Sequence, residues 1–295
     1  MISIIIPVYN EQDSIQELYK QIISQVYEMN YEIIFVDDGS TDNTVNEIEK
    51  ICNSRVILIK QKINKGKSEA LMEGFKIVEG DYIITMDGDL QDDPSEIPNF
   101  ISLIKHNDYD VVSGWKFNRK DPISKTIPSK LFNLLTRLVT KVKLNDMNCG
   151  YKIYTKEAAK DINIYGELHR YIPALLHWKG YKIIELPIKH NPRRFGKSKY
   201  GMERLLKGFL DLITVKYLTS YINRPLHLFG TIGIVFGGLG VLSGLYLTGL
   251  RIFTGTIQSK FPLLILTAIL IIVCVQLILF GLLGEMIVDL KKGDK

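Results

Sequence analysis

Two long stretches without charged side chains constrain this chain more than any other feature. From Leu226 to Leu250 and from Phe261 to Gly284 no Asp, Glu, Lys or Arg occurs. Each stretch exceeds the roughly 20 apolar residues with which an α-helix crosses a bilayer. The alternative, a buried helical hairpin in a soluble protein, would need an unusually large core. The sequence therefore predicts two membrane helices, at about 226–250 and 261–288.

The charges that flank these stretches predict their orientation. Lys216 and Arg224 precede the first, and three lysines lie beyond residue 290, whereas the connecting loop holds Arg251 and Lys260. Because basic residues are favoured on the cytoplasmic side, we expect a cell-membrane protein whose N-terminal domain and C-terminus are cytoplasmic.

Charge and cysteine content narrow the class further. The net charge of +5 is modest, and no nucleic-acid partner is expected. Cys52, Cys149 and Cys274 share no metal-ligand spacing, which favours reduced thiols in a cytosolic setting. Between Lys189 and Lys207, shortly before the first membrane stretch, seven basic residues accompany one acidic residue. Anionic membrane surfaces attract such segments at about 1 kcal/mol per charge, so a phosphate-bearing lipid is a predicted partner.

Strand-like and helix-like segments alternate before that basic segment. Apolar, β-branched runs recur at Ile2–Val8, Tyr31–Val36, Arg55–Ile59, Tyr82–Met86 and Asp110–Ser113. Helix-like segments lie between them at Ser14–Tyr27, Thr44–Ile51, Lys67–Val78 and Ser95–His106. The alternation predicts a Rossmann-like α/β domain with a mostly parallel sheet. A capping box, Ser14 with Glu17, is predicted to open the first helix.

The chain divides into three predicted parts. They are an α/β domain at 1–200, an amphipathic juxtamembrane segment at 201–224 and a two-helix transmembrane region at 225–290. The middle part mixes apolar residues with charges between Met202 and Tyr221. Such a pattern is typical of a helix that lies on the membrane surface.

Acidic residues cluster after the fourth strand-like run. Asp87-Gly-Asp89, with Gln91 two residues further on, offers hard oxygen ligands that suit Mg²⁺ or Mn²⁺ better than zinc. A solvated turn is the alternative reading. Ligands of doubly wound sheets lie beyond the carboxyl ends of the strands, however, and this position favours a metal site. Such a metal would neutralise the charge of a departing diphosphate.

A second acidic turn follows the second strand. Asp38 can accept hydrogen bonds from a base or ribose, while Asp42 or Thr44 can cap the next helix. A purely structural role for this turn stays open.

Five motifs together resemble those of family 2 glycosyltransferases. More narrowly, they are similar to those of the polyprenyl-phosphate glycosyltransferases, relatives of dolichol-phosphate mannose synthase and bacterial bactoprenol glucosyltransferases. The motifs are Pro7-Val-Tyr-Asn-Glu11, Val36-Asp-Asp-Gly-Ser-x-Asp42-x-Thr44, Asn64-Lys-Gly66-x-x-x-Ala70, Met86-Asp-Gly-Asp-Leu-Gln-Asp-Asp-Pro94 and His169-Arg-Tyr-Ile-Pro173. The likeness covers essentially the whole chain. It implies a GT-A fold that moves a sugar, with inversion, from a nucleotide diphosphate to a lipid monophosphate.

The resemblance also implies roles for individual residues. Pro7, Tyr9, Glu11 and Asp38 would hold the nucleoside, Gly66 and Lys67 would lie by its base, and Asp87, Asp89 and Gln91 would bind the metal. Asp89 and Asp146 are the candidate catalytic residues, Asp146 at the position proposed for a base. A lipid phosphate is mostly dianionic at neutral pH and needs little help from a base. Asp146 as an orienting residue, or as the cap of the following turn, therefore stays open.

The phosphates of donor and acceptor should meet basic side chains. The loop that would close over them contains Arg193, Arg194, Lys197, Ser198 and Lys199, and Lys116 and Lys130 match basic positions expected at the acceptor phosphate. Lys125 is a rival to Lys130. A solvated basic face is the alternative for this whole set.

The sequence thus predicts transfer of a hexose from a UDP-sugar to undecaprenyl phosphate, for cell-envelope glycosylation. Glucose is the favoured sugar, with N-acetylglucosamine, other hexoses and a GDP-mannose donor as alternatives. A processive polysaccharide synthase and a catalytically silent, nucleotide-binding membrane anchor are the other hypotheses. Relatives imply a homo-oligomer, a tetramer.

Overall fold

The computed structural model describes residues 1–106, 108–117, 133–189, 191 and 203–293. They fall into two compact units, Met1–Val215 and Lys216–Lys295. Within the described residues, the first unit is built around one seven-stranded sheet and the second around two long apolar helices.

The sheet is mixed and mostly parallel. Its strands are β1 (Ile2–Val8), β2 (Tyr31–Asp37), β3 (Val56–Lys60), β4 (Tyr82–Thr85), β5 (Val111–Lys116), β6 (Lys152–Thr155) and β7 (Ile183–Ile188), in the order β3-β2-β1-β4-β6-β5-β7. β1 pairs with β2 and β4, β2 with β3, and β5 with β7, all in parallel. β6 alone among these strands runs antiparallel to its neighbours, β4 and β5. The predicted parallel core is confirmed, and the sequence pattern did not show this reversal.

Helices connect the strands close to where the sequence predicts them. In the first unit they are α1 (Ile15–Val26), α2 (Thr44–Glu49), α3 (Lys67–Ile77), α4 (Ile97–His106), α5 (133–140), α6 (Lys156–Lys160) and α7 (Ile172–Trp178). α8 (Glu203–Ser220) follows, and the second unit contains α9 (Pro225–Thr254) and α10 (Phe261–Gly293). Short 3₁₀ turns occupy Pro94–Glu96, Leu168–Tyr171 and Gln258–Lys260.

The central strand β1 packs on both of its faces. Side chains alternate across a strand, so Ile4 and Ile6 join the cluster that contains the buried face of α1, whereas Ile5 lies on the opposite face. There the Cγ2 of Ile5 would lie 2.5 Å from a Cβ placed on Gly74 of α3, so glycine permits this close packing. Each fully buried isoleucine contributes about 1.5–3 kcal/mol.

The predicted capping box at the start of α1 is wrong. Ser14 itself has helical backbone angles, and its hydroxyl makes no capping bond. The Oγ donates instead to the carbonyl oxygens of Gly88, at 2.6 Å, and of Glu11, at 2.9 Å. The Ser14 hydroxyl therefore bonds to the loop after β4 and does not cap its own helix. This bond connects the start of α1 to the loop that carries Asp87.

The apolar surface of α8 is divided between the protein interior and solvent. Leu212 and Val215 are buried, and the Tyr171 hydroxyl donates to the carbonyl of Gly208 at 3.0 Å. Leu210 and Ile213 are exposed. Part of the surface that the sequence assigned to the membrane is therefore used in packing.

In the second unit, α9 and α10 pack through glycines of α9. A Cβ on Gly237 would lie 2.7 Å from Cys274 Sγ, and one on Gly240 would lie 2.9 Å from Ile271 Cγ1. Gly233 meets α10 in the same way, so these small residues serve helix packing. Pro225–Thr254 and Gln258–Lys291 are long and apolar enough to cross a membrane by length and composition.

Candidate active site

The antiparallel strand β6 explains why segments distant in sequence meet at one edge of the sheet. The parallel strands β1, β2 and β4 all end at this edge. Because β6 runs the opposite way, the residues that precede it arrive at the same edge. β5 and β7 end there too, which brings Lys116 and the chain after Ile188 to the site.

Mainly neutral hydrogen bonds join the loop after β1 to the loop after β2. The Asn10 N–H donates to Ser40 Oγ at 2.9 Å, and the Thr41 N–H donates to Asn10 Oδ1 at 2.8 Å. The Glu11 N–H donates to Thr44 Oγ1 at 2.8 Å. Asn10 has a φ of 54°, a left-handed conformation that asparagine tolerates better than most residues. The half-buried Pro7, Tyr9 and Glu11, predicted to hold a nucleoside, lie in or next to this joined pair of loops.

Asp38 holds the segment that leads into α3. Its two carboxylate oxygens accept hydrogen bonds from the backbone N–H groups of Lys65, at 2.7 Å, and Gly66, at 2.9 Å. Burial raises the pKa of Asp38, although both N–H donors act to lower it. The structure therefore gives this predicted nucleoside ligand a structural task, and it places Gly66 beside the loops after β1 and β2.

Asp87 opens the acidic loop, residues 87–92, and pairs with a lysine. The Lys67 ammonium, at the first turn of α3, contacts Asp87 Oδ1. Burial would raise the pKa of Asp87, but the charges of Lys67 and Lys116 outweigh it and hold the pKa below its ordinary value. The resemblance placed Lys67 by the nucleoside base, whereas here its charge lies on the first predicted metal ligand.

The acidic loop is a tight turn. Leu90 has a φ of 60°, a strained conformation for a residue with a Cβ. A Cβ on Gly88 would come within 2.8 Å of Val8 Cγ1, so the loop approaches β1 closely. The Gln91 N–H donates to Asp89 Oδ1 at 3.1 Å. The turn thus keeps the predicted ligands Asp87, Asp89 and Gln91 together at the end of β4.

Lys116 and Asp92 form a buried ion pair beneath this turn. Lys116 Nζ lies 3.1 Å from Asp92 Oδ1, and their side chains are 13% and 0% exposed. Burial alone would lower the pKa of Lys116, but the Asp92 carboxylate raises it above its ordinary value, so the lysine stays charged. Asp92 Oδ2 also accepts the N–H of Asp87 at 3.1 Å. Lys116, predicted to meet the acceptor phosphate, is therefore engaged in supporting the acidic loop.

Asp146 arrives at the site just before β6. It is 1% exposed, and its backbone N–H donates to Glu185 Oε1 at 2.8 Å. The side chain of Glu185, on β7, also accepts from the backbone and side chain of Asn145, at 2.7 and 2.9 Å. Glu185 thus fixes the turn that presents the candidate catalytic carboxylate.

Most of the predicted phosphate contacts lie outside the described residues. These are Lys130 with its rival Lys125, and Arg193, Arg194, Lys197, Ser198 and Lys199. The chain that leads to the basic segment 193–199 is nevertheless anchored at the site, because the Asn191 N–H donates to the Gln91 carbonyl at 3.0 Å.

The donor set of the acidic loop fits a hard divalent cation only in part. Among the described residues, no three His, Cys, Asp or Glu side chains gather closely enough to hold a metal. Asp87 and Asp89 supply carboxylates and Gln91 an amide oxygen. Mg²⁺ is usually held by one or two carboxylates together with substrate phosphates. The residues thus fit a metal that is completed by a diphosphate.

Sequence reasoning missed several residues that line or support the site. Lys152, at the start of β6, is 2% exposed, and its ammonium donates to the Cys149 carbonyl. His169 Nδ1 lies 3.0 Å from Ser68 Oγ, on α3. His169 stood in a recognised motif without an assigned role. No local signal marked Lys152, because the antiparallel pairing of β6 is what places the start of this strand at the site. Burial raises the pKa of the Cys149 thiol to about 12, so this thiol is protonated at neutral pH.

Comparison with known proteins places this geometry in context. Residues 3–162 match the family described as Glycosyl transferase family 2. Dodecaprenyl-phosphate galacturonate synthase of Rhizobium johnstonii is 35% identical, over 97% of this chain and 87% of the relative. Undecaprenyl-phosphate 4-deoxy-4-formamido-L-arabinose transferase of Shewanella sediminis is 36% identical, over 97% and 86%.

Among solved structures, glucosyl-3-phosphoglycerate synthase from Mycobacterium tuberculosis, in complex with Mn²⁺, uridine diphosphate and phosphoglyceric acid, has a similar fold. Its TM-score is 0.59 at 17% identity, with 74% of this chain and 78% of that chain covered. This likeness confirms the predicted GT-A fold.

Proposed function

This chain belongs to glycosyl transferase family 2. We propose that it transfers the sugar of a nucleoside diphosphate sugar to a polyprenyl phosphate in a membrane. The relatives matched over 97% of the chain are named for dodecaprenyl-phosphate and undecaprenyl-phosphate products, and both C-terminal helices are long enough to span a bilayer. One observation carries the proposal: β1, β2 and β4 end, and the antiparallel β6 begins, at one edge of the sheet. Along this edge the nucleoside, the diphosphate and the sugar of a donor can lie side by side.

The donor would lie across this edge. Its nucleoside fits the joined loops after β1 and β2, where Tyr9 and Glu11 offer a ring and a carboxylate. Its diphosphate fits the acidic loop, where Asp87, Asp89 and Gln91 would hold Mg²⁺ or Mn²⁺. That ion would supply charge neutralisation for the departing nucleotide diphosphate. Uridine diphosphate and Mn²⁺ occur together in the structural neighbour, which supports this choice.

The acceptor phosphate would meet the basic segment 193–199. Arg193 and Arg194 provide forked donors for phosphate oxygens, and Lys197 and Lys199 provide point charges. The segment begins two residues after Asn191, which is bonded to the carbonyl of Gln91. This hydrogen bond supports the proposal that the acceptor phosphate binds close to the diphosphate of the donor. A dianionic lipid phosphate could attack the sugar directly, with inversion, and Asp146 would orient the reacting groups.

The relatives do not support the sugar that the sequence analysis favoured. Neither relative named above is called a glucosyltransferase: one name specifies galacturonate and the other 4-deoxy-4-formamido-L-arabinose. The preference for glucose therefore finds no support in them. The UDP donor, the cytoplasmic active site, the role in cell-envelope glycosylation and the tetramer stay predictions.

Product analysis tests the proposed reaction. The purified full chain, in proteoliposomes with undecaprenyl phosphate and Mn²⁺, is given neutral and acidic UDP-sugars one at a time, and the lipids are examined by mass spectrometry. We expect a product heavier than the lipid phosphate by one sugar residue, formed about 100-fold or more slowly by Asp89→Asn. The matched control, Lys160→Met, removes an exposed charge and should behave as the wild type. Absence of glycolipid with every donor would refute the proposal.

Cys52 offers a test of the proposed topology. It is exposed, whereas Cys149 is buried, so a maleimide that cannot cross membranes should discriminate between the two thiols. In a Cys274→Ser background we expect labelling in inside-out vesicles and none in intact cells. Labelling of Cys52 in intact cells would place this domain outside.

A further inference from the structure

A small pocket beside Asp87 has a basic lining. It has room for about one water molecule. The lining residues that carry polar groups are Lys67, Thr85, Asn148, Cys149, Gly150, Lys152, Tyr154 and His169. No Asp or Glu occurs among the described residues that line it. We call this space the cationic pocket.

Lys152 is the most unusual part of this lining. It is 2% exposed, and its ammonium donates to the carbonyl of Cys149. Within the described ranges, no carboxylate forms an ion pair with it at 4 Å or less. Burial lowers the pKa of Lys152, although the charges of Asp146 and Asp87 act in the opposite direction. Lys116, the other buried lysine of this edge, has the carboxylate of Asp92 as its partner. A buried ammonium is costly unless an anion accompanies it.

His169 adds a neutral polar group to the same space. Burial, together with the charges of Lys67, Arg170 and Lys152, holds the pKa of His169 well below its ordinary value. The imidazole is therefore uncharged, and its Nδ1 is already engaged with Ser68. The positive charge of the pocket comes from its two lysines, of which Lys67 is shared with Asp87.

The place of the pocket in the sheet indicates which part of a donor reaches it. The strand order β2-β1-β4-β6 puts the nucleoside loops on one side of the acidic loop and the start of β6, with Lys152, on the other. A donor with its nucleoside at β1 and β2 and its diphosphate at the acidic loop would extend its sugar toward β6. The space has room for about one oxygen atom of such a sugar.

We propose that the cationic pocket receives the carboxylate of the donor sugar, so that the donor is a nucleoside diphosphate hexuronate. This inference rests on the proposed function and specifies its substrate class. Lys152 provides the charge that selects the acid, and a neutral hexose leaves the buried ammonium without an anion in direct contact.

Competition binding tests the proposal on the full chain in detergent. A fluorescent UDP derivative is displaced, with Mn²⁺ present, by UDP-glucuronate, UDP-galacturonate, UDP-glucose, UDP-galactose and UDP. We expect wild-type protein to bind each uronate about tenfold more tightly than the matching hexose, the scale of one charged hydrogen bond. Lys152→Met should abolish that preference and leave UDP affinity within about twofold, Lys152→Arg should retain it, and Lys160→Met should match wild type.

The outcomes separate this inference from the proposed function. Equal or weaker binding of uronates by wild-type protein overturns it, a result that does not depend on the folding of any variant. Equal weakening of UDP and every UDP-sugar by Lys152→Met also overturns it, because the lysine would then contact the diphosphate. Preferential binding of uronates without any glycolipid in the product assay refutes the reaction and keeps the carboxylate site. Glycolipid from neutral hexoses at undiminished rates refutes the site and keeps the reaction.

Discussion

The loops after β1 and β2 and the acidic loop after β4 lie at one sheet edge, yet different forces hold them. Asn10, Ser40 and Thr44 join the first two loops through neutral hydrogen bonds. Asp87 and Asp92 in the acidic loop are each paired with a lysine. A neutral bond contributes about 0.5–1.5 kcal/mol, whereas breaking a buried ion pair costs about 3–5 kcal/mol. The nucleoside side is thus preformed, and the diphosphate side depends on its balance of charge.

The largest effect is expected at the acidic loop itself. Asp89→Asn should lower kcat/KM for sugar transfer by about 100-fold or more, the scale of a lost electrostatic contact to a developing charge. Radiolabelled transfer to the lipid measures it. Asp93→Asn is the matched control, because Asp93 only caps the next turn by accepting the Ser95 N–H, which asparagine can also do. Equal losses in both variants would mean that the loop collapses as a whole.

The ion pair beneath the loop should dominate stability. Asp92→Asn leaves the buried Lys116 without its carboxylate and should reduce the free energy of unfolding by about 3–5 kcal/mol. Thermal unfolding in detergent should show a Tm lower by roughly 10 °C. Asp81→Asn, which breaks only the exposed pair with the N-terminal amine, should change Tm by about a tenth of that. Similar shifts for both substitutions would contradict the charge-supported loop.

Gly150 permits a close approach that the acidic loop needs. A Cβ there would lie 2.6 Å from Asp87 Oδ1. Gly150→Ala should therefore displace the Asp87 carboxylate and weaken Mn²⁺ binding in the presence of UDP by about tenfold. Mutation of residues that position metal ligands has effects of this size. Electron paramagnetic resonance of free Mn²⁺ measures this affinity. Gly238→Ala on α9, where a Cβ meets nothing within 4 Å, is the control, and unchanged affinity in Gly150→Ala would show that Asp87 is not a ligand.

The smallest effect is expected on the nucleoside side. Asn10→Gly keeps the left-handed backbone but loses the bond from Thr41, and should raise the KM for the donor by about threefold with kcat unchanged. Asn10→Ala adds backbone strain of about 1 kcal/mol and should be the less stable of the two. Initial rates and Tm values separate these effects. A fall in kcat as large as that of Asp89→Asn would remove the distinction between the two regions.

The sequence predicts local features of this fold well. The strand Ile2–Val8 is found with its predicted bounds, and Thr44 and Lys67 each begin a helix as expected. Hydrophobic periodicity, turn residues and membrane-length apolar runs are properties of neighbouring residues, so one chain suffices to reveal them.

Features set by distant residues escaped prediction. The direction of β6 depends on its pairing with β4 and β5. That pairing places Lys152 at the edge of the sheet where Asp87 lies. Ser14 looked like a helix cap because Glu17 stands three residues later, but its hydroxyl bonds to Gly88. Lys116 looked like a free phosphate ligand, since no local pattern shows that Asp92 lies beside it.

The position of a bound metal tests the central claim most directly. Crystals of the full chain with UDP and Mn²⁺ can be measured at a wavelength where manganese scatters anomalously. We expect one strong peak between the diphosphate and the carboxylates of Asp87 and Asp89, with the Lys67 ammonium moved off Asp87. A diphosphate bound away from residues 87–91, or a manganese peak without contact to either carboxylate, would contradict the account.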